Sequence, residues 1–117
     1  MKLISSLKLL EKSPPSSAPS NTTIGVIGTN GSFSKTELNK IAQMAHDGYA
    51  RSIRPVHTMN DGDTIFAVST GTVKADLNQT GSLASIVMMR AIENSIYAAE
   101  PLMGIPAWKG INEKNEK

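Results

Sequence analysis

The sequence predicts an α/β fold that is incomplete by itself, and three observations predict it. Two apolar, β-branched runs, residues 22–29 and 64–69, each precede a helical pattern. The second of those patterns is apolar around most of its circumference, which marks a helix buried on most sides. A chain of 117 residues supplies too little cover for two strands buried on both faces together with such a helix. The expected organisation is an amphipathic start and Pro/Ser linker over residues 1–21, a domain over 22–109 and a polar tail over 110–117.

Each element has a local cause. Ser13-Pro14-Pro15-Ser16-Ser17-Ala18-Pro19-Ser20 is an extended, exposed linker. Thr22-Thr23-Ile24-Gly25-Val26-Ile27-Gly28-Thr29 then reads as a buried strand, and Asn30-Gly31 as a turn. Ser34 and Glu37 have the spacing of a capping box. The helix behind them places Leu38, Ile41, Ala42, Ala45, Tyr49 and Ile53 on one face and ends near Arg54, because Pro55 disfavours α geometry in the residue before it. Asp61-Gly62-Asp63 is a turn leading into the second strand, Thr64-Ile65-Phe66-Ala67-Val68-Ser69. Residues 70–80 read as loop with room for a short strand. A second helix is expected over 82–100, stopped by Pro101.

Composition narrows the function classes. Lys and Arg number 12 against 10 Asp and Glu, and the whole surplus lies in residues 1–21, which hold Lys2, Lys8 and Lys12 against Glu11. The remainder is neutral, so the pI near 9.0 reflects a short segment and not a nucleic-acid-binding face. Without cysteine there are no disulfides, zinc thiolates or thiol nucleophiles. No apolar run approaches the roughly 18 residues of a membrane span. Lys8 interrupts the apolar start, so it makes a weak secretory signal and a cytoplasmic location is expected. No cofactor is expected.

The motifs admit competing readings. Gly25, Gly28 and Gly31 lie between a strand and a helix but lack the spacing of a phosphate-binding loop, and tight packing explains them better. His46 and His57 lack partners at metal-ligand spacing and read as hydrogen-bonding structural residues. Asp61-Gly62-Asp63 is a common turn sequence without the remaining ligands of a calcium loop. Asn21-Thr22-Thr23 is either an ordinary strand start or a self-cleaving junction. In the second case a threonine hydroxyl attacks the carbonyl before it, water opens the resulting ester, and the freed α-amine, with a pKa of about 8, becomes the base for the adjacent hydroxyl.

In combination these segments resemble a family. Asn21-Thr22-Thr23-Ile24-Gly25-Val26 is similar to the junction and nucleophile strand of the DmpA-type aminopeptidases, self-processing N-terminal-nucleophile hydrolases that include β-peptidyl aminopeptidases and nylon-oligomer hydrolases. The run from Ala42 to Thr58, Asp61-Gly62-Asp63-Thr64-Ile65-Phe66-Ala67 and Gly104-Ile105-Pro106-Ala107-Trp108 continue the resemblance, which covers residues 21 to 109. It implies a four-layer αββα sandwich, cleavage before Thr22 with Asn21 on the other side of the cut, and Thr22 as nucleophile. It also implies that Asp61 and Asp63 orient the Thr22 ammonium and hydroxyl. The substrates would be short peptides or related amides. The family's α subunit, with its further strands and an oxyanion-stabilising Asn, has no counterpart in these residues. The chain is therefore expected to resemble a β subunit completed by an α-subunit-like polypeptide, by homo-oligomerisation, or by both, with no nucleic-acid or membrane partner. The alternative is a non-enzymatic remnant or interaction module of the same fold.

Overall fold

The computed structural model describes residues 8, 11 and 21–112. The linker over 13–20 and the last five tail residues fall outside them. The element order is β1 (Ile24–Gly31), α1 (Lys35–Ser52), β2 (Thr64–Val73), α2 (Leu77–Ala98) and α3 (Trp108–Asn112). The strands pair in parallel, and Ile24 faces Thr64, Val26 faces Phe66 and Gly28 faces Val68. Among the described residues they form a two-stranded sheet.

α1 starts as its sequence dictates. The Ser34 hydroxyl accepts from the Glu37 amide at 3.3 Å, and the Glu37 carboxylate accepts from the Ser34 amide at 2.8 Å. It ends at Ser52, where the Ile53 amide closes onto the Tyr49 carbonyl at 2.7 Å. β1 runs two residues further than expected. Asn30-Gly31 is strand, not turn, because β2 itself continues to Val73 and supplies partners. The register slips between Thr29 and Gly31, on the stretch of β2 that contains Gly71 in a left-handed conformation.

The second helix is also longer at its start than its apolar pattern indicates. It begins at Leu77 behind Asp76, whose carboxylate accepts from the Gln79 amide at 2.8 Å. It stops at Ala98, two residues before the expected end, because Glu100 precedes Pro101. The polar tail likewise begins later than expected, since Gly110, Ile111 and Asn112 belong to α3. Trp108 of α3 packs edge-on against Tyr97 of α2 at a centroid distance of 5.9 Å.

Both long helices lie on one side of the sheet. Ile27 and Ile65 point into a core built with Ile41, Ala45 and Tyr49 of α1 and Ala84 and Met88 of α2. Ile41 and Tyr49 have no exposed surface. The opposite sheet face is open. Ile24 is 69% exposed, Val26 62%, Phe66 57% and Val68 54%. The strands are apolar on both faces as expected, but this chain covers only one. No helix among the described residues is long and apolar enough to cross a membrane.

Candidate functional site: the Asn21–Thr22 junction

The parallel pairing brings the junction and the acidic turn together. The forty-residue offset that pairs Ile24 with Thr64 continues outward to an isolated bridge between Asn21 and Asp61. Thr22 therefore stands opposite Gly62, with a carboxylate residue on either side. The Asn21 amide donates to the Asn60 carbonyl at 3.0 Å, the Gly62 amide donates to the Asn21 carbonyl at 2.8 Å, and the Thr64 amide donates to the Thr23 carbonyl at 3.0 Å. Asn21 and Thr22 are both exposed.

The two aspartates have different work. Asp63, with a side chain only 6% exposed, accepts from the Thr23 amide at 2.9 Å and bonds the His57 ring at 2.7 Å. Burial pushes its carboxyl upward, but the Thr23 amide and His57 outweigh that and hold it below the usual carboxylate value. Asp61 accepts from the Thr58 amide at 2.6 Å while its own amide donates to the Thr58 carbonyl at 3.0 Å, which closes the turn over residues 58–61. Asp63 thus grips the residue after Thr22, and Asp61 fixes the loop that faces it.

Gly62 is the contact point with the threonine side chain. A Cβ built on Gly62 would sit 2.9 Å from Thr22 Oγ1, too close for an ordinary contact. Only hydrogen at that position leaves the hydroxyl where it is.

Three residues join the site that sequence reasoning left outside it. His57 Nε2 lies 3.3 Å from His46 Nδ1, so Asp63, His57 and His46 form a continuous polar row. Tyr49, one turn on from His46 on the same helix, lies beneath them and its hydroxyl donates to the Thr23 carbonyl at 3.4 Å. Burial, then the neighbouring His57, lowers the pKa of His46; burial, then Asp63, raises that of Tyr49. Both histidines hydrogen-bond, as expected. Their mutual contact depends on His57 adopting φ of 56°, which no spacing rule foretells. Among the described residues no group of three or more His, Cys, Asp or Glu is arranged to hold a metal ion. Gly25, Gly28 and Gly31 all lie within β1, so they form no phosphate-binding loop.

In this α/β chain Thr22 lies two residues before β1, opposite the Asp61-Gly62-Asp63 turn. The chain belongs to peptidase family S58, whose model it matches over residues 3–108. It is 38% identical over 115 residues to an uncharacterized aminopeptidase of Mycobacterium leprae, an alignment covering 86% of this chain and 31% of that protein. It is also 38% identical over 95 residues to a 6-aminohexanoate-oligomer endohydrolase of Paenarthrobacter ureafaciens, covering 70% of this chain and 27% of the relative. The chain thus spans less than a third of the length of these curated relatives.

Proposed function

We propose that this chain is the β-subunit-like portion of a self-processing aminopeptidase or amidohydrolase acting on short peptides or related amides. Residues 22–109 form that portion, and residues 1–21 end at the cleavage junction. The supporting observation is the register that sets Thr22 opposite Gly62, between Asp61 and Asp63. In this reading Thr22 Oγ1 attacks the Asn21 carbonyl, water opens the ester, and Thr22 becomes the N-terminus. Its amine then takes the proton from its own hydroxyl as the hydroxyl attacks a substrate amide; the amide C–N bond breaks, the leaving amine receives that proton, and water hydrolyses the acyl-enzyme. Asp63, acting through Thr23 and His57, and Asp61, acting through the turn, hold the amine and hydroxyl in place. The names of the relatives, an aminopeptidase and an oligomer endohydrolase, are consistent with amide substrates.

The open sheet face supports the remaining expectation. Ile24, Val26, Phe66 and Val68 make the face that a second sheet would cover in a four-layer αββα sandwich, supplied by an α-subunit-like polypeptide, another copy, or both. The test is intact mass at neutral pH followed by assays on short peptide amides, for the native chain and for Thr22→Ala. A species beginning at Thr22 and its loss in Thr22→Ala are expected. Hydrolysis that survives in Thr22→Ala would sink the nucleophile assignment, whereas a native chain that neither processes nor hydrolyses would favour a binding module of the same fold.

A further inference from the structure

We propose that the Gly62 backbone amide is the oxyanion donor for self-cleavage of the Asn21–Thr22 bond. The proposal rests on the reading of that bond as the processing junction. It adds a catalytic group that belongs to this chain, in the middle of the Asp-Gly-Asp turn.

The bond-making steps locate where a donor is needed. Thr22 Oγ1 adds to the Asn21 carbonyl carbon, and the carbonyl π electrons move to the Asn21 oxygen. The tetrahedral species collapses by breaking the carbon–nitrogen bond. The Thr22 nitrogen receives, in net, the proton that the hydroxyl lost, and an ester remains. Water then adds to the same carbon, the Asn21 oxygen again carries the charge, and the carbon–Oγ1 bond breaks. The products are an Asn21 carboxylate and a Thr22 with a free hydroxyl and an ammonium that holds the acid's proton, with one water consumed. One oxygen therefore bears negative charge in both steps, and the Gly62 amide already donates to it at 2.8 Å. The donor is thus already directed at the atom on which the charge will develop.

Two features set this bond apart from an ordinary rung of the sheet. The first is its position. The bridge of Asn21 to Asp61 stands outside β1 and β2, so the pairing there is not held by continuous strand on both sides. It is held instead by the Asn21 amide on the Asn60 carbonyl and by the bonds of the two aspartates. Asp61 locks the residue before Gly62 through both of its bonds to Thr58, and Asp63 locks the residue after it through Thr23 and His57. The amide between two anchored residues cannot swing toward water as charge develops, which is what makes a donor preorganised. The second feature is the absent side chain. The space a Cβ would take at residue 62 is bordered by Thr22 Oγ1 at 2.9 Å, so the donor and the attacking hydroxyl meet at the same residue. The paired carboxylates thereby gain a common role as fixings for the amide they enclose.

The experiment follows the appearance of the Thr22-initiated species by mass in the full chain at neutral pH, with and without hydroxylamine, which splits the ester and so reports the first step alone. Gly62→Ala keeps the amide and adds the crowding Cβ; Gly62→Pro adds the Cβ and removes the amide. Thr64→Pro removes the next amide, which bonds Thr23, at the first residue of β2 where proline is tolerated. Gly62→Pro is expected to be slower than Gly62→Ala by about 100- to 1,000-fold, with Thr64→Pro within about tenfold of native. Equal rates for the two Gly62 variants, or equal losses for Gly62→Pro and Thr64→Pro, would reduce the amide to a rung of the ladder and overturn the proposal. A native chain that gives no Thr22-initiated species even with hydroxylamine would reject the junction itself, and the proposal with it. Should Gly62→Pro lose its helical circular dichroism, hydrogen exchange in the uncleavable Thr22→Ala chain decides. A Gly62 amide protected well beyond the exposed loop amides is expected, and one exchanging as freely as they do would overturn the assignment.

Discussion

At the residue scale the site is a row of polar groups laid over one buried ring. Tyr49 has no exposed surface, and its hydroxyl reaches the Thr23 carbonyl, which also accepts from the Thr64 amide. Tyr49→Phe leaves that carbonyl partnered, so its cost is expected at or below about 1 kcal/mol. The same variant should remove a phenol that titrates above its ordinary value, which absorbance titration at alkaline pH measures. Acid stability has two contributors of one sign. His46 has a folded pKa below its ordinary value of about 6.5, so the unfolded chain binds more protons just under that pH and stability falls as pH drops through it. Asp63 is depressed below about 3.9; its stabilisation is present above that pH and is lost as pH falls through the folded value. Thermal melts should therefore decline from pH 7 to 5 less steeply in His46→Gln than in the native chain. In Asp63→Asn the further decline below pH 4 should be reduced. Of this row only Asp63 was legible as a site residue. His46 and His57 are eleven positions apart on a helix and a loop, and the left-handed backbone at His57 closes the distance.

At the element scale the determinants are caps and close approaches. The capping box of α1 is written in a three-residue spacing, Ser34 to Glu37, so it was readable. The start of α2 was obscured because Asp76 precedes the polar Asn78-Gln79-Thr80, which carries no apolar periodicity, yet the cap alone begins the helix there. Asp76→Ala is expected to cost about 1 kcal/mol, measurable by denaturant unfolding. The crossing of α1 on α2 is tight at Gly48, where a Cβ would lie 2.5 Å from the Ser85 carbonyl and 2.8 Å from Met88 Cβ. Backbone cannot give way as a flexible side chain can. Gly48→Ala should therefore destabilise by about 1–3 kcal/mol through overpacking, exceeding the gain of about 1 kcal/mol in helix propensity. A melting temperature raised by Gly48→Ala would contradict that crossing.

At the scale of the whole molecule the chain is a helical layer on a sheet with one face uncovered. This much was legible from counting. Two strands apolar on both faces and a helix apolar nearly all round require more cover than the chain holds, and the exposed Val26, Phe66 and Val87 are the result. What the count could not supply was which face stays open. That depends on both long helices lying over Ile27 and Ile65, so that Ile24, Val26, Phe66 and Val68 are left outside. Phe66→Ser is expected to leave the melting temperature of the isolated chain nearly unchanged, because that ring is 57% exposed. On the proposed covering of this face by another copy, the same change should weaken self-association, which sedimentation of the native and variant chains compares.

The parallel ladder also governs the fate of the two ends made by a cut between Asn21 and Thr22. Asn21 is held by two backbone hydrogen bonds, whereas the chain from Thr23 onward is woven into the sheet along the whole of β1. At about 1 kcal/mol apiece, two bonds are a weak tether for a newly formed carboxylate. Among the described residues, the threonine side of such a cut would be the more firmly anchored of the two new ends. Unequal anchoring of the two new termini would therefore favour release of the Asn21 side over resealing.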